Sequence, residues 1–109
     1  TGPGNHWVAI FIDNKHNEIN YYDSYGSYPT KLIHQFITKL NDNYKKNNYN
    51  STVIFNDKRH QYGGSECGMY SINFILERLY GNTMHDISTR KITDKTMNEL
   101  REKLFNNNY

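Results

Sequence analysis

Cysteine is nearly absent from this sequence: Cys67 is the only one among 109 residues. No internal disulfide can form, which fits a reducing compartment and leaves one free thiol. No long apolar run exists, so a membrane-spanning helix is excluded. No secretory signal pattern is visible, and the chain opens on Thr1 rather than Met. The expectation is therefore a fragment or a processed piece, in which an upstream targeting segment would not show. Net charge is low, at +2, too small to imply nucleic acid as a partner. The short basic pairs Lys45-Lys46 and Lys58-Arg59 read as solvated loop charge. There is no internal repeat and no domain boundary. The length suits a single domain, residues 1–109. Hydrophobic residues reach only 36%, so the core must be modest. What is plentiful is aromatic: 15% of residues, with ten tyrosines that can pack a ring and still present a hydroxyl. The asparagine-rich stretches, such as 41–43 and 106–108, read as compositional bias in polar loops.

Along the chain, residues 6–12 are apolar without alternation and predict a buried strand. Turn chemistry at 13–17 leads to a second strand over 18–22, its hairpin partner. Residues 23–29 form a loop. Thr30 is placed to cap a helix over about 31–41, with Leu32, Ile33, Phe36, Ile37 and Leu40 as its apolar face. A short β-branched strand follows at 52–55, then a glycine-containing loop over 56–66. Residues 67–80 form the strongest helical pattern, apolar around most of its circumference and therefore expected at the centre. Gly81-Asn82 ends it. A last helix spans about 94–105, with Thr93 as cap and Met97, Leu100 and Leu104 as its apolar residues. The fold class is α+β: a small mixed sheet packed on a central helix.

Chemistry concentrates in four residues. Cys67 is delivered by a flexible loop to the first turn of the central helix. There, unpaired N–H groups and partial positive charge favour thiolate over thiol, and the thiolate is the nucleophile. A buried structural cysteine is the competing reading. His6, at the start of the first strand, can face that helix end and serve as general base. Asp23 follows the second strand directly and can reach the histidine to orient it; an ordinary turn aspartate is the alternative. Gln61, six positions before Cys67, can donate to an oxyanion alongside the Cys67 N–H, or can be a solvated loop residue. Gly63 and Gly64 let the backbone bend there. Trp7 is expected in the core, with shielding of the site as the other reading.

The order and spacing of these residues resemble the adenoviral protease and the ubiquitin-like-protein proteases, which share one papain-like cysteine protease fold. The resemblance covers residues 1 to about 79. The stretch Thr1-Gly2-Pro3-Gly4-Asn5-His6-Trp7 resembles the glycine-rich lead into the adenoviral catalytic His-Trp. Tyr21-Tyr22-Asp23-Ser24 resembles the aspartate turn of the ubiquitin-like-protein proteases, and Gln61 followed by Cys67-Gly68 resembles their oxyanion glutamine and nucleophile. The resemblance implies His6 as base, Asp23 as orienter, Gln61 as oxyanion donor and Cys67 as nucleophile. It also implies cleavage after small residues, often glycine. The adenoviral enzyme has glutamate where this chain has Asp23, which leans toward the ubiquitin-like-protein proteases. Family domains carry residues ahead of the histidine that help shape the substrate cleft. A chain lacking them is expected to hold the catalytic set yet bind substrate poorly.

The implied activity is a cysteine endopeptidase acting on a protein substrate. That substrate is either a viral polyprotein or structural precursor, or a ubiquitin-like conjugate. The glycine-rich lead and the asparagine bias tilt toward a large DNA virus, hence toward host cytoplasm or virion. Two other readings stay open: an inactive module binding a ubiquitin-like partner, and an acyltransferase on the same fold. His6, His16, His34, His60, His85 and Cys67 are ligand types, but no pair has zinc-site spacing, so no metal is expected. No cofactor is expected, and a nucleic acid or peptide activator is possible but not indicated.

Overall fold

The computed structural model describes residues 6–105. In chain order these form β1 (Ala9–Asp13), β2 (Glu18–Tyr22), α1 (Lys31–Lys46), β3 (Thr52–Phe55), α2 (Cys67–Tyr80), α3 (Met84–Thr89) and α4 (Asp94–Phe105). Residues 1–5 of the glycine-rich lead lie outside this range, as does the asparagine run at 106–108.

The β1–β2 hairpin turns where the sequence carries turn chemistry. Asp13 Oδ1 accepts the N–H groups of Lys15 and His16, and Asn17 takes the left-handed conformation (φ 52°) that asparagine tolerates. The strands pair antiparallel, Ala9 opposite Tyr22, whereas β3 adds to β2 in parallel, Ile19 opposite Val53. A parallel neighbour needs a crossover, and α1 supplies it. The strand order β1-β2-β3 makes a mixed sheet with β2 in the middle.

That order decides where the core sits. From Ile19 to Tyr22, β2 is buried on both faces. Ile19 and Tyr21 pack with Ile37 of α1. Tyr22 packs with Tyr70 and Phe74 of α2, its ring stacked on Phe74 at 4.7 Å between centroids. Each such buried side chain contributes about 1.5–3 kcal/mol, so α2 is held firmly against the sheet. Its end is set by Gly81, whose φ of 110° suits only glycine.

Several sequence expectations need correction. The first strand starts at Ala9, not at His6, and of its residues only Ala9 is buried. As an edge strand, β1 leaves Ile12 exposed. Trp7 is not core: it is 62% exposed, because the chain leaves the sheet there to approach α2. On α1 only Ile37 is buried, and Leu32 and Phe36 face outward. The helix also runs five residues past 41, since Tyr44 packs on the second core cluster and its hydroxyl donates to Asn14 Oδ1. On α2 the buried stripe is Cys67, Met69, Tyr70, Phe74 and Arg78, while Ile72, Leu76 and Leu79 are exposed. One face of the helix is therefore central and the other is not. α3 has no counterpart in the sequence reading, although Thr83 and Asp86 form a capping box in the structure.

Candidate active site

Cys67 occupies the first position of α2 and is 7% exposed. Its helix cap, Glu66, makes no side-chain bond to the first turn. The backbone N–H of Trp7 donates to Cys67 Sγ at 3.4 Å, and an added Cβ on Gly68 would sit 3.7 Å from the indole. The chain ahead of β1 thus lies across the mouth of α2, and His6 is covalently joined to the nitrogen that meets the sulfur.

His6 is bound on its other side. Its Nε2 donates to Asp23 Oδ1 at 2.8 Å. The imidazole is about one-third exposed and the carboxylate nearly buried, at 36% and 5%. With Nε2 carrying the proton, Nδ1 keeps a lone pair, which is the form a base requires.

Asp23 is held by a turn and a clamp. Gly26 N–H donates to Asp23 O at 2.8 Å, closing the turn, and Tyr25 N–H donates to Asp23 Oδ1 at 2.9 Å. Asn56, just past β3, fixes the backbone from both sides: Asp23 N–H donates to its Oδ1 and its Nδ2 donates to Asp23 O. Gly26 has φ +74°, and a Cβ there would come within 3.0 Å of the Lys58 backbone. Glycine is required at that position by both conformation and space.

Gln61 is not a solvated loop residue. It is fully buried, with Oε1 accepting from Ser24 Oγ at 2.5 Å and Nε2 donating to Gly63 O at 2.9 Å. The second Nε2 hydrogen is not used by either bond. Ser24 O also accepts the N–H groups of His60 and Gln61, so the aspartate turn and the glutamine loop are laced together.

Asp94, Tyr70, Arg59 and His60, none of them a candidate site residue in the sequence, anchor this loop. Asp94, in the first turn of α4, accepts Gly63 N–H at 2.8 Å, Tyr62 N–H at 3.1 Å and the Tyr70 hydroxyl at 2.8 Å. Burial raises its carboxyl pKa, but the Tyr70 hydroxyl, the two N–H donors and the Arg59 charge outweigh that and hold it below the usual value. Arg59 is not simply solvated: its guanidinium lies over the Tyr25 and Tyr62 rings, and its Nε donates to Gln61 O at 2.7 Å. His60 is buried, with Nε2 donating to Arg90 O and Nδ1 accepting from Tyr22 OH. Burial lowers its pKa and keeps it neutral. Nothing in local sequence marks Asp94 or Tyr70, because the partners lie 32 and 24 positions away. The glycines divide: a Cβ on Gly63 would lie 2.5 Å from Glu66 Oε1, whereas one on Gly64 meets nothing within 4 Å. Among the described residues no three His, Cys, Asp or Glu side chains gather to hold a metal, and no helix is long and apolar enough to cross a membrane.

The site thus brings together a helix-end thiol met by the N–H next to His6 and a carboxylate bonded to the ring of that histidine, residue types that thiol hydrolases use. The comparisons define the class further. The chain belongs to the Ulp1 protease family, whose C-terminal catalytic domain matches residues 2–109. It is 38% identical over 106 residues to a protein of Acanthamoeba polyphaga mimivirus provisionally named thiol protease R355, covering 96% of this chain and 35% of that one. It is 38% identical over 109 residues to the cysteine protease S273R of African swine fever virus, covering 96% and 40%. The crystal structure of the selenomethionine African swine fever virus pS273R protease superposes with a TM-score of 0.87 at 31% identity, over 96% of this chain and 40% of that chain. The α+β fold is therefore that of the Ulp1-like cysteine proteases, and the relatives are viral. The chain spans 35–40% of the length of these relatives.

Proposed function

We propose that this chain is the catalytic core of a viral cysteine peptidase with Cys67 as nucleophile, His6 as base, Asp23 as orienter and Gln61 as oxyanion donor. In this reading His6 Nδ1 takes the thiol proton. The positive end of α2 and the Trp7 N–H then meet the charge on sulfur. The thiolate adds to the scissile carbonyl carbon, and the oxyanion is met by the Cys67 N–H and the free Nε2 hydrogen of Gln61. As the C–N bond breaks, the imidazolium protonates the leaving amine. Water, deprotonated by His6, then hydrolyses the thioester and regenerates the thiol.

The observation that most supports this reading is the pairing of His6 Nε2 with Asp23 Oδ1 at 2.8 Å, next to a Trp7 N–H on Cys67 Sγ. The substrate in this reading is a polyprotein or structural precursor cut after small residues, in host cytoplasm or virion. Viral relatives favour it, and so does the lone cysteine. A second reading, a deconjugase for a ubiquitin-like modifier, is favoured by the name SUMO-1 cysteine protease borne by an S273R protein 37% identical to this chain.

Two substrates separate them: a Gly-Gly peptide carrying a fluorogenic amide, and an isopeptide-linked SUMO-1 conjugate. Peptide cleavage without conjugate cleavage supports the first reading, and the reverse supports the second. If iodoacetamide labels Cys67 equally fast in the wild type and in His6→Ala, neither peptidase reading survives.

A further inference from the structure

Tyr25 meets His6, Asp23 and the Gly63 carbonyl that also holds Gln61, and we infer that it is the positioning residue that couples the base to the oxyanion loop. The inference rests on the peptidase reading. The Tyr25 ring stacks on the His6 imidazole, 5.0 Å between centroids and 28° between planes. Its backbone N–H donates to Asp23 Oδ1, the same oxygen that receives His6 Nε2. Its hydroxyl donates to Gly63 O at 2.8 Å, and that carbonyl also accepts Gln61 Nε2. No other side chain among the described bonds and ring contacts meets both the histidine and the loop of the glutamine.

The tyrosine itself is fixed from two directions. The turn at 23–26 is pinned by Gly26 against the Lys58 backbone, with no room for a side chain between them. Arg59 lies over the Tyr25 ring at 5.1 Å while its Nε holds Gln61 O. The side chain then does two separable things. The ring limits the tilt of a partly exposed imidazole, so that Nδ1 stays aimed along one direction. The hydroxyl fixes the Gly63 carbonyl, and through it the Gln61 amide, so that one Nε2 hydrogen is left for the oxyanion. A phenylalanine keeps the first action and loses the second. An aliphatic residue loses both.

The test uses two readouts on the same protein, neither of which needs turnover. Alkylation of Cys67 by iodoacetamide reports the Cys67–His6 pair alone. Protection against that alkylation by a Gly-Gly-glycinal peptide aldehyde reports the tetrahedral adduct, in which sulfur bonds to the aldehyde carbon and the oxygen takes up the proton. Tyr25→Phe is expected to alkylate at the wild-type rate, while aldehyde protection weakens about three- to tenfold, the worth of one neutral hydrogen bond. Tyr25→Leu is expected to slow alkylation by about tenfold or more through loss of alignment. If Tyr25→Leu melts below the assay temperature, Tyr25→Met carries that arm.

The inference is overturned if the aliphatic variant alkylates like the wild type. It is also overturned if Tyr25→Phe retains full aldehyde protection, or if both variants lose alkylation equally, which would mark a purely structural ring. Wild-type labelling that does not depend on His6 overturns the peptidase reading instead, so the two failures are distinguishable.

Discussion

Replacing Asp94 with alanine should both destabilise the domain and slow the proposed reaction, although Asp94 belongs to α4 and not to the proposed catalytic residues. The carboxylate accepts from the Tyr62 and Gly63 amides and from the Tyr70 hydroxyl. Bonds to a charged group contribute about 1.5–3 kcal/mol each. Discounts apply here: the Tyr62 amide is exposed to water, and the Tyr70 hydroxyl keeps His60 O as a second acceptor at 3.0 Å. The expected loss is about 2–4 kcal/mol, which for a domain of this size lowers Tm by roughly 10 °C or more. Asp94→Asn should cost about half of that, because its Oδ1 can turn to the two amides while Tyr70 falls back on His60. The sign of the pH dependence follows. The folded carboxyl is held below its ordinary value, so the stability it contributes is present above about pH 4 and lost as pH falls through the folded value. Thermal melts of wild type, Asp94→Asn and Asp94→Ala at pH 7 and pH 3.5 measure the stability, and cleavage of the Gly-Gly peptide at pH 7 measures the rate. A melting temperature for Asp94→Ala within about 2 °C of wild type at pH 7 would mean that the loop is anchored elsewhere, and the reasoning fails.

Cys67→Ala is expected to abolish turnover and leave the melting temperature nearly unchanged, since alanine suits a helix and little volume is lost; residual cleavage in that variant removes Cys67 as nucleophile. Gln61→Ala should lower the rate about a hundredfold and also lower the melting temperature, because it strands the buried Ser24 hydroxyl; a wild-type rate would make the glutamine purely structural. Asp23→Asn should slow the reaction by favouring the wrong histidine tautomer, with an unchanged rate pointing to another orienting group. Buried His60 stays neutral in the fold while the unfolded chain takes up a proton, so stability should fall as pH drops below about 6.5. Urea titrations between pH 7.5 and 5 should show that slope shrink in His60→Gln.

How much of this was legible beforehand depends on the range of the interaction. The β1–β2 hairpin, the Thr30 cap, β3 and the bounds of α2 follow from local chemistry: turn residues, a capping side chain, β-branched runs and a terminal glycine with φ 110°. Burial did not follow in the same way. An apolar pattern says that a helix has something to bury, but not which stripe meets a partner, so Leu32, Phe36 and the outer side of α2 carry a core pattern and yet are exposed. Trp7 is exposed for the same reason, since its neighbours follow from where the chain leaves the sheet.

The candidate site divides along the same line. His6, Asp23, Gln61 and Cys67 are candidates by residue type and local place (the segment ahead of β1, a turn, a loop and a helix start), and the family resemblance implies their roles. Tyr25, Asn56, Tyr70 and Asp94 could be recognised only once the chain was folded. Most of their bonds cross 24 to 38 positions of sequence, and hydrogen bonding at that separation leaves no trace in local pattern. Sequence therefore nominates the groups proposed to react. The strand order, which buries β2 and brings the 23–26 turn against the 58–63 loop, decided which groups hold them in place.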